Sequence, residues 1–143
     1  MSVYQISVFL ENRAGQLAEI TGILSDNHID LRALNIAETA DYGVLRLITS
    51  DAQKASAVLL EHGFILTMTP VTAVAVPDRP GGLSELLRAL SAAQIDIEYM
   101  YSVFGQKEGL AYMIFRVADT EKLDAVLAES GLGAVTGEAL GVH

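Results

Sequence analysis

The sequence predicts an α+β fold of two tandem βαββαβ units, each an antiparallel sheet with both helices on one face. Three observations predict it: an internal repeat at a nearly constant offset, apolar alternation at strand period, and helix-bounding signals that recur in both copies. Glu11-Asn12-Arg13-Ala14-Gly15-Gln16-Leu17 aligns with Pro77-Asp78-Arg79-Pro80-Gly81-Gly82-Leu83, an offset of 66 from Arg13 to Arg79. At the same offset Ile29-Asp30-Leu31 matches Ile95-Asp96-Ile97. Further along, Asp51-Ala52-Gln53-Lys54 matches Asp119-Thr120-Glu121-Lys122, an offset of 68 from Asp51 to Asp119, and Glu61-His62-Gly63 matches Glu129-Ser130-Gly131. The extra residues fall between Ser102 and Gly109, where a turn is expected and a duplicated unit tolerates insertion.

The elements follow in order. Tyr4, Ile6, Val8 and Leu10 alternate with Gln5, Ser7 and Phe9, the period of a strand; Thr72, Val74 and Val76 take the same places in the second copy. A glycine-containing turn and a helix come next. Leu83, Leu86, Leu87 and Leu90 form one apolar helical face, which Leu17, Ile20 and Leu24 repeat in the first copy. The helices break at His28-Ile29-Asp30 and Gln94-Ile95-Asp96, and strands are expected at Leu31–Glu38 and Ile97–Phe104. Turn-rich Asp41-Tyr42-Gly43 and Gly105-Gln106-Lys107-Glu108-Gly109 lead into strands at Val44–Thr49 and Ala111–Val117. Asp51 and Asp119 stand where an N-cap would accept from the free amides of a second helix. Gly63 and Gly131 stand where those helices should end. A last strand follows each, at Phe64–Thr69 and, more weakly, Leu132–Thr136.

This order is the ferredoxin-like split unit, with a first domain expected at 1–69 and a second at 70–143. A unit of this size buries only about 60% of its chain surface, so it is marginal alone. Leu45 and Leu47 face one side of their strand, Val44 and Ile48 the other; Met113 and Phe115 oppose Tyr112 and Ile114. Such doubly apolar strands imply cover from the sister unit or another chain, and a homodimer is expected. With only Pro70 between the strands ending at Thr69 and starting at Val71, no freely swinging linker is expected.

Composition narrows the function. Apolar residues make up 51% of the chain and charged ones 19%, a core-forming balance. The net charge of −9, with only 9 scattered basic residues, argues against nucleic acid and against acidic membrane surfaces. No apolar run approaches the roughly 20 residues of a membrane helix. There is no cysteine, and His28, His62 and His143 lack ligand spacing, so no metal and no cofactor are expected. Met1–Gln5 shows no basic segment leading into an apolar stretch, which argues against a signal peptide and, with the missing cysteines, for a cytoplasmic location. No cluster joins a nucleophile to a base, so no catalytic residue is expected.

The two aligned loops carry the chemistry. Glycine lets backbone amides open toward a ligand, and the helix N-terminus behind it favours a carboxylate. Asn12 and Asp78 offer acceptors for an ammonium or for the loop itself, and Arg13 and Arg79 offer positive charge. The same residues also make good turn and helix-start chemistry that needs no ligand, since Pro80 suits a first helical turn and Asp78 a cap. Asp30 and Asp96 suit turns after helix ends. Tyr99, Met100 and Tyr101 are at strand spacing, which reads as sheet packing.

Asp78-Arg79-Pro80-Gly81-Gly82-Leu83 after a first strand, within βαββαβ, resembles the signature of the ACT domain family. Asn12-Arg13-Ala14-Gly15-Gln16-Leu17 differs only by alanine in place of proline. The resemblance spans both units, and free-standing bacterial tandem ACT proteins are the nearest likeness. It implies side-by-side pairing of domains, with a small amino acid between the glycine loop of one and the start of the second strand of its partner. In the serine-sensing ACT domains of phosphoglycerate dehydrogenases, one asparagine in the loop and another before the second strand hold the ligand. The matching positions here are Asn12 and Asp30 in the first copy and Asp78 and Asp96 in the second; the histidine just upstream is replaced by Leu10 and Val76.

The ligand-binding residues expected on this basis are Asn12, Arg13, Ala14, Gly15, Gln16, Leu17 and Asp30, and Asp78, Arg79, Pro80, Gly81, Gly82, Leu83 and Asp96. The expected function is a non-catalytic, allosteric regulator acting on an enzyme or regulator in trans. A structural oligomerisation module and a small ferredoxin-like enzyme are the alternatives.

Overall fold

The computed structural model describes residues 3–11, 13–38, 42–104, 108–132 and 135–143. The chain divides into two compact units, residues 4–69 with 141–143 and residues 1–3 with 70–140. In the first, β1 (Val3–Leu10) leads through the glycine loop into α1 (Gln16–Asp26), then β2 (Leu31–Glu38), β3 (Gly43–Thr49), α2 (Ala52–Glu61) and the start of β4 (Leu66–Pro77). The second runs from the rest of β4 through α3 (Gly82–Ala92), β5 (Tyr99–Ser102), β6 (Leu110–Arg116) and α4 (Thr120–Glu129).

The strand order is β2-β3-β1-β4 in the first unit; β5-β6-β4 in the second repeats its first three places, with no described strand in the fourth. The ladders β1–β3, β2–β3, β4–β6 and β5–β6 are all antiparallel. Ile6 and Val8 face Leu47 and Leu45 across the first sheet, and Thr72 and Val74 face Phe115 and Met113 across the second. The first core gathers Ile6, Val8, Ile20, Leu24, Leu45 and Leu59; the second gathers Val74, Leu86, Leu90, Phe115, Leu123 and Leu127. Each is a sheet face closed by two helices, the fold expected from the repeat. Ile48 and Ile114, at alternate positions of β3 and β6, are fully buried as well.

Caps fix the helix ends. The Asp51 carboxylate accepts from the Lys54 amide at 3.1 Å and Asp119 from the Lys122 amide at 3.0 Å. All four of these helices close with the paired bonds of a Schellman turn. In α2, Gly63 N–H donates to Leu60 C=O and Phe64 N–H to Leu59 C=O; in α4, Gly131 N–H donates to Ala128 C=O and Leu132 N–H to Leu127 C=O. In α1 and α3 the left-handed position belongs instead to His28 (φ 57°) and Gln94 (φ 59°). There Ile29 N–H donates to Leu24 C=O and Ile95 N–H to Leu90 C=O. Side chains in this conformation cost about 1–2 kcal/mol each. His28→Gly is expected to raise the stability of the first unit by about 0.5–1 kcal/mol in chemical denaturation, once the wider freedom of glycine in the unfolded chain is subtracted.

Several expectations need correction. The strands expected on either side of Pro70 form one strand, β4. A proline removes only its own N–H and fixes a φ that extended chain accommodates. The regular part of β5 is shorter than Ile97–Phe104, although single bonds from Glu98 N–H to Arg116 C=O and Val103 N–H to Tyr112 C=O prolong the pairing. Residues 132, 135 and 136 are not in a strand; Val135 N–H donates to Ala73 C=O beside β4, and residues 133 and 134 lie outside the described ones. Leu17 is 37% exposed and leaves the buried face of α1 to Ile20, Ile23 and Leu24. The turns at Asp41 and at Gly105–Lys107 also lie outside the described residues.

Candidate glycine-loop site

Each glycine loop turns its chain from the first strand into the first helix by one left-handed residue, Gly15 (φ 87°, ψ −8°) or Gly81 (φ 90°, ψ −13°). Both glycines are also the helix N-caps, and a glycine has no side chain with which to cap. The first intrahelical bonds run from Glu19 N–H to Gly15 C=O (3.0 Å) and from Glu85 N–H to Gly81 C=O (2.9 Å). The amides before them have no acceptor within the helix, so each loop presents free donors at the positive end of a helix dipole. That geometry suits a carboxylate.

The arginines do not stand free. Arg13 Nη2 donates to Glu19 Oε2 at 3.1 Å, with Glu11 Oε2 3.6 Å from its Nε. Arg79 grips Glu85 with both terminal nitrogens, at 3.3 and 3.1 Å, and its Nη1 also donates weakly to Pro80 C=O at 3.5 Å. These half-exposed pairs add little stability, but they set the pose of each loop. Glu19 and Glu85 were absent from the expected site, although they stand 66 positions apart like the arginines they hold. Asn12 lies outside the described residues.

Beyond this shared plan the loops differ. In the first copy Gln16 is buried, 6% exposed, and its Oε1 accepts from Glu11 N–H at 2.9 Å. In the second copy the matching residues are Gly82, which has no side chain acceptor, and Pro77, which has no N–H. Gly82 is instead drawn against the strand end, where a Cβ on it would come within 2.1 Å of Pro77 C=O. Its own N–H donates to Arg79 C=O at 3.0 Å, and Asp78 N–H donates to Gly109 C=O at 3.0 Å. Leu83 packs against the second core. A Cβ on Gly15, by contrast, would meet nothing within 4 Å. A cavity of about 300 Å³ opens there, lined by Ala14, Gly15, Gln16, Leu17, Ile36 and Glu38 among others.

Asp30 and Asp96 follow the far ends of α1 and α3. Eleven helical residues separate each from the loop of its own unit, about 16 Å. Asp30 is held locally: its N–H donates to Ser50 Oγ at 2.9 Å, and its Oδ2 accepts from Arg32 at 2.9 Å. It lines a separate, open cavity of about 380 Å³ with Thr21, Ser25 and His28. Asp96 is exposed. One unit therefore does not bring its loop and its aspartate together.

Nothing nearby forms a metal centre: among the described residues no group of His, Cys, Asp and Glu could hold an ion. His62 Nδ1 lies 2.8 Å from Val58 C=O at the end of α2, a helix-end contact. Tyr99 and Tyr101 stack on β5, and Met100 packs against the second core. No described helix is long and apolar enough to cross a membrane.

Comparison places this geometry among known proteins. The family model described as an ACT domain pair matches residues 1–142. Protein BT0572 from Bacteroides thetaiotaomicron is similar over 99% of this chain and 96% of its own, with 38% identity and a TM-score of 0.91. The ligand-free regulatory subunit of aspartate kinase from Thermus thermophilus shares the fold over 90% of both chains, with 16% identity and a TM-score of 0.68. The corresponding subunit from Thermus flavus does so over 87% of this chain and 88% of its own, with 16% identity and a TM-score of 0.59. No curated protein matches. With the family model spanning both glycine loops and both sheets, the chain belongs to the ACT domain pair family.

Proposed function

We propose that this chain is a non-catalytic regulatory protein that binds a small amino acid between a glycine loop of one unit and the aspartate before the second strand of another. The observation that carries this reading is the uncapped helix N-terminus behind Gly15, opening into a cavity sized for a small zwitterion. The amides would take the carboxylate, and an aspartate from a second unit would take the ammonium as a charge-assisted bond. Because loop and aspartate stand at opposite ends of one helix, such a site needs two units, and a homodimer supplies them. Binding would then change the stability of that pairing. The signal to an enzyme or regulator in trans would be carried by differential affinity for the two assembly states. The match to ACT domain pairs and the likeness in fold to regulatory subunits support this reading.

A melting screen against the twenty amino acids tests it. At a hundredfold excess over Kd a ligand adds about 2.7 kcal/mol, which at this chain length is roughly 5–10 °C in Tm. One amino acid or a small chemically related set is expected to produce that shift, and Gly15→Val or Gly81→Val to remove it, each judged against its own ligand-free Tm. A flat response to all twenty would leave an assembly module as the better reading.

A further inference from the structure

We infer that the two loops have diverged in role: the first-copy loop is the ligand loop, with Gln16 as the residue that selects the ligand, and the second-copy loop is a closed structural turn. This rests on the amino-acid-binding reading above and specifies which of its loops acts and through which side chain. Gln16 is more than nine-tenths buried and lines the cavity at Gly15. Its Oε1 is committed to Glu11 N–H. Its Nε2 has no hydrogen-bond partner among the described residues. The rest of the side chain is packed away, so this donor is held in place at the wall of the cavity, where an acceptor on a ligand can pair it.

The backbone agrees. In the second copy the Gly82 amide is spent on Arg79 C=O, whereas the matching Gln16 amide makes no such bond to Arg13. The first loop therefore offers two kinds of donor, the first-turn amides of α1 and the carboxamide of Gln16, which lines both the cavity at Gly15 and a neighbouring one of about 350 Å³ with Tyr42 and His62. Glu11, Arg13 and Glu38 line the cavity at Gly15, so its wall carries charges of both signs, as a zwitterion does. With the carboxylate on the first-turn amides, the ligand class that fits is an amino acid whose side chain offers Nε2 a hydroxyl or carbonyl oxygen. The second loop offers no counterpart. Gly82 carries no side chain, and its Cα is pressed against Pro77 C=O.

The test is titration calorimetry of the full chain with each of the twenty amino acids, for wild type, Gln16→Glu and Glu85→Gln. Gln16→Glu keeps an oxygen for Glu11 N–H, so the loop keeps its fold, but replaces the open donor by an acceptor. Its affinity is expected to fall about tenfold to a hundredfold at unchanged circular dichroism. Glu85→Gln frees Arg79 at the second loop and is expected to bind as wild type does. Wild-type affinity in Gln16→Glu, or an affinity that moves only in Glu85→Gln, overturns the inference while leaving an amino-acid sensor in place. A wild-type chain that binds none of the twenty overturns both. Should Gln16→Glu lose its fold, Gln16→Met, which keeps the volume without a donor, takes its place with the same expected loss.

Discussion

Gly82→Ala is expected to destabilise the second unit by about 3 kcal/mol, a fall in Tm on the order of 10 °C. The added Cβ would lie 2.1 Å from Pro77 C=O, and the obstacle is backbone at the end of β4 rather than a side chain that can swing away. Relief requires moving the start of α3 or the strand end, and both anchor the core around Leu86, Leu90 and Val76. The same substitution at Gly15 is a control for a different cost. Alanine there meets nothing within 4 Å, so only the left-handed φ of 87° resists it, at about 1–2 kcal/mol. Urea titration of both variants separates the two terms. A Gly82→Ala chain no weaker than Gly15→Ala would show that the Pro77 contact yields easily.

Phe115→Ala should cost about 3–5 kcal/mol. Phe115 is fully buried on β6, opposite Thr72 on one side and Met100 on the other, in the cluster that joins α3 and α4 to the sheet. Neighbours fixed in two ladders cannot collapse into the space, so most of the cavity would remain. Phe9→Ala removes the same atoms from a ring that is 43% exposed and should cost under about 1 kcal/mol. The contrast is measurable as the shift in denaturant midpoint at constant m-value.

Much of the fold was legible because the same signals occur twice. The Asp51 and Asp119 caps, the closing glycines Gly63 and Gly131, and the apolar rows of both sheets follow from local chemistry, and the structure has them where the residues call for them. What escaped depends on how the loops and helix ends pack once folded. Periodicity does not reveal that Leu17 turns to solvent while Leu83 packs inward, since both sit on the same helical position. His28 and Gln94 close helices in a conformation their residue types disfavour, so no glycine announced those turns. The carboxylates of Glu19 and Glu85 reach the loop arginines from one turn into the helix, a pairing visible only once the loop is folded. Gln16 is among the expected ligand-binding residues, but its hydrogen bond with Glu11 N–H is not visible in the motif and has no counterpart in the second copy, where proline and glycine replace the pair.

The measurement that bears most directly on amino-acid binding at the glycine loop is the stoichiometry of the best-binding amino acid, by equilibrium dialysis of the wild-type chain beside Gly15→Val. Saturation at one ligand per chain, lost in Gly15→Val, is the predicted result. No saturable uptake of any amino acid, or undiminished uptake in Gly15→Val, would contradict it.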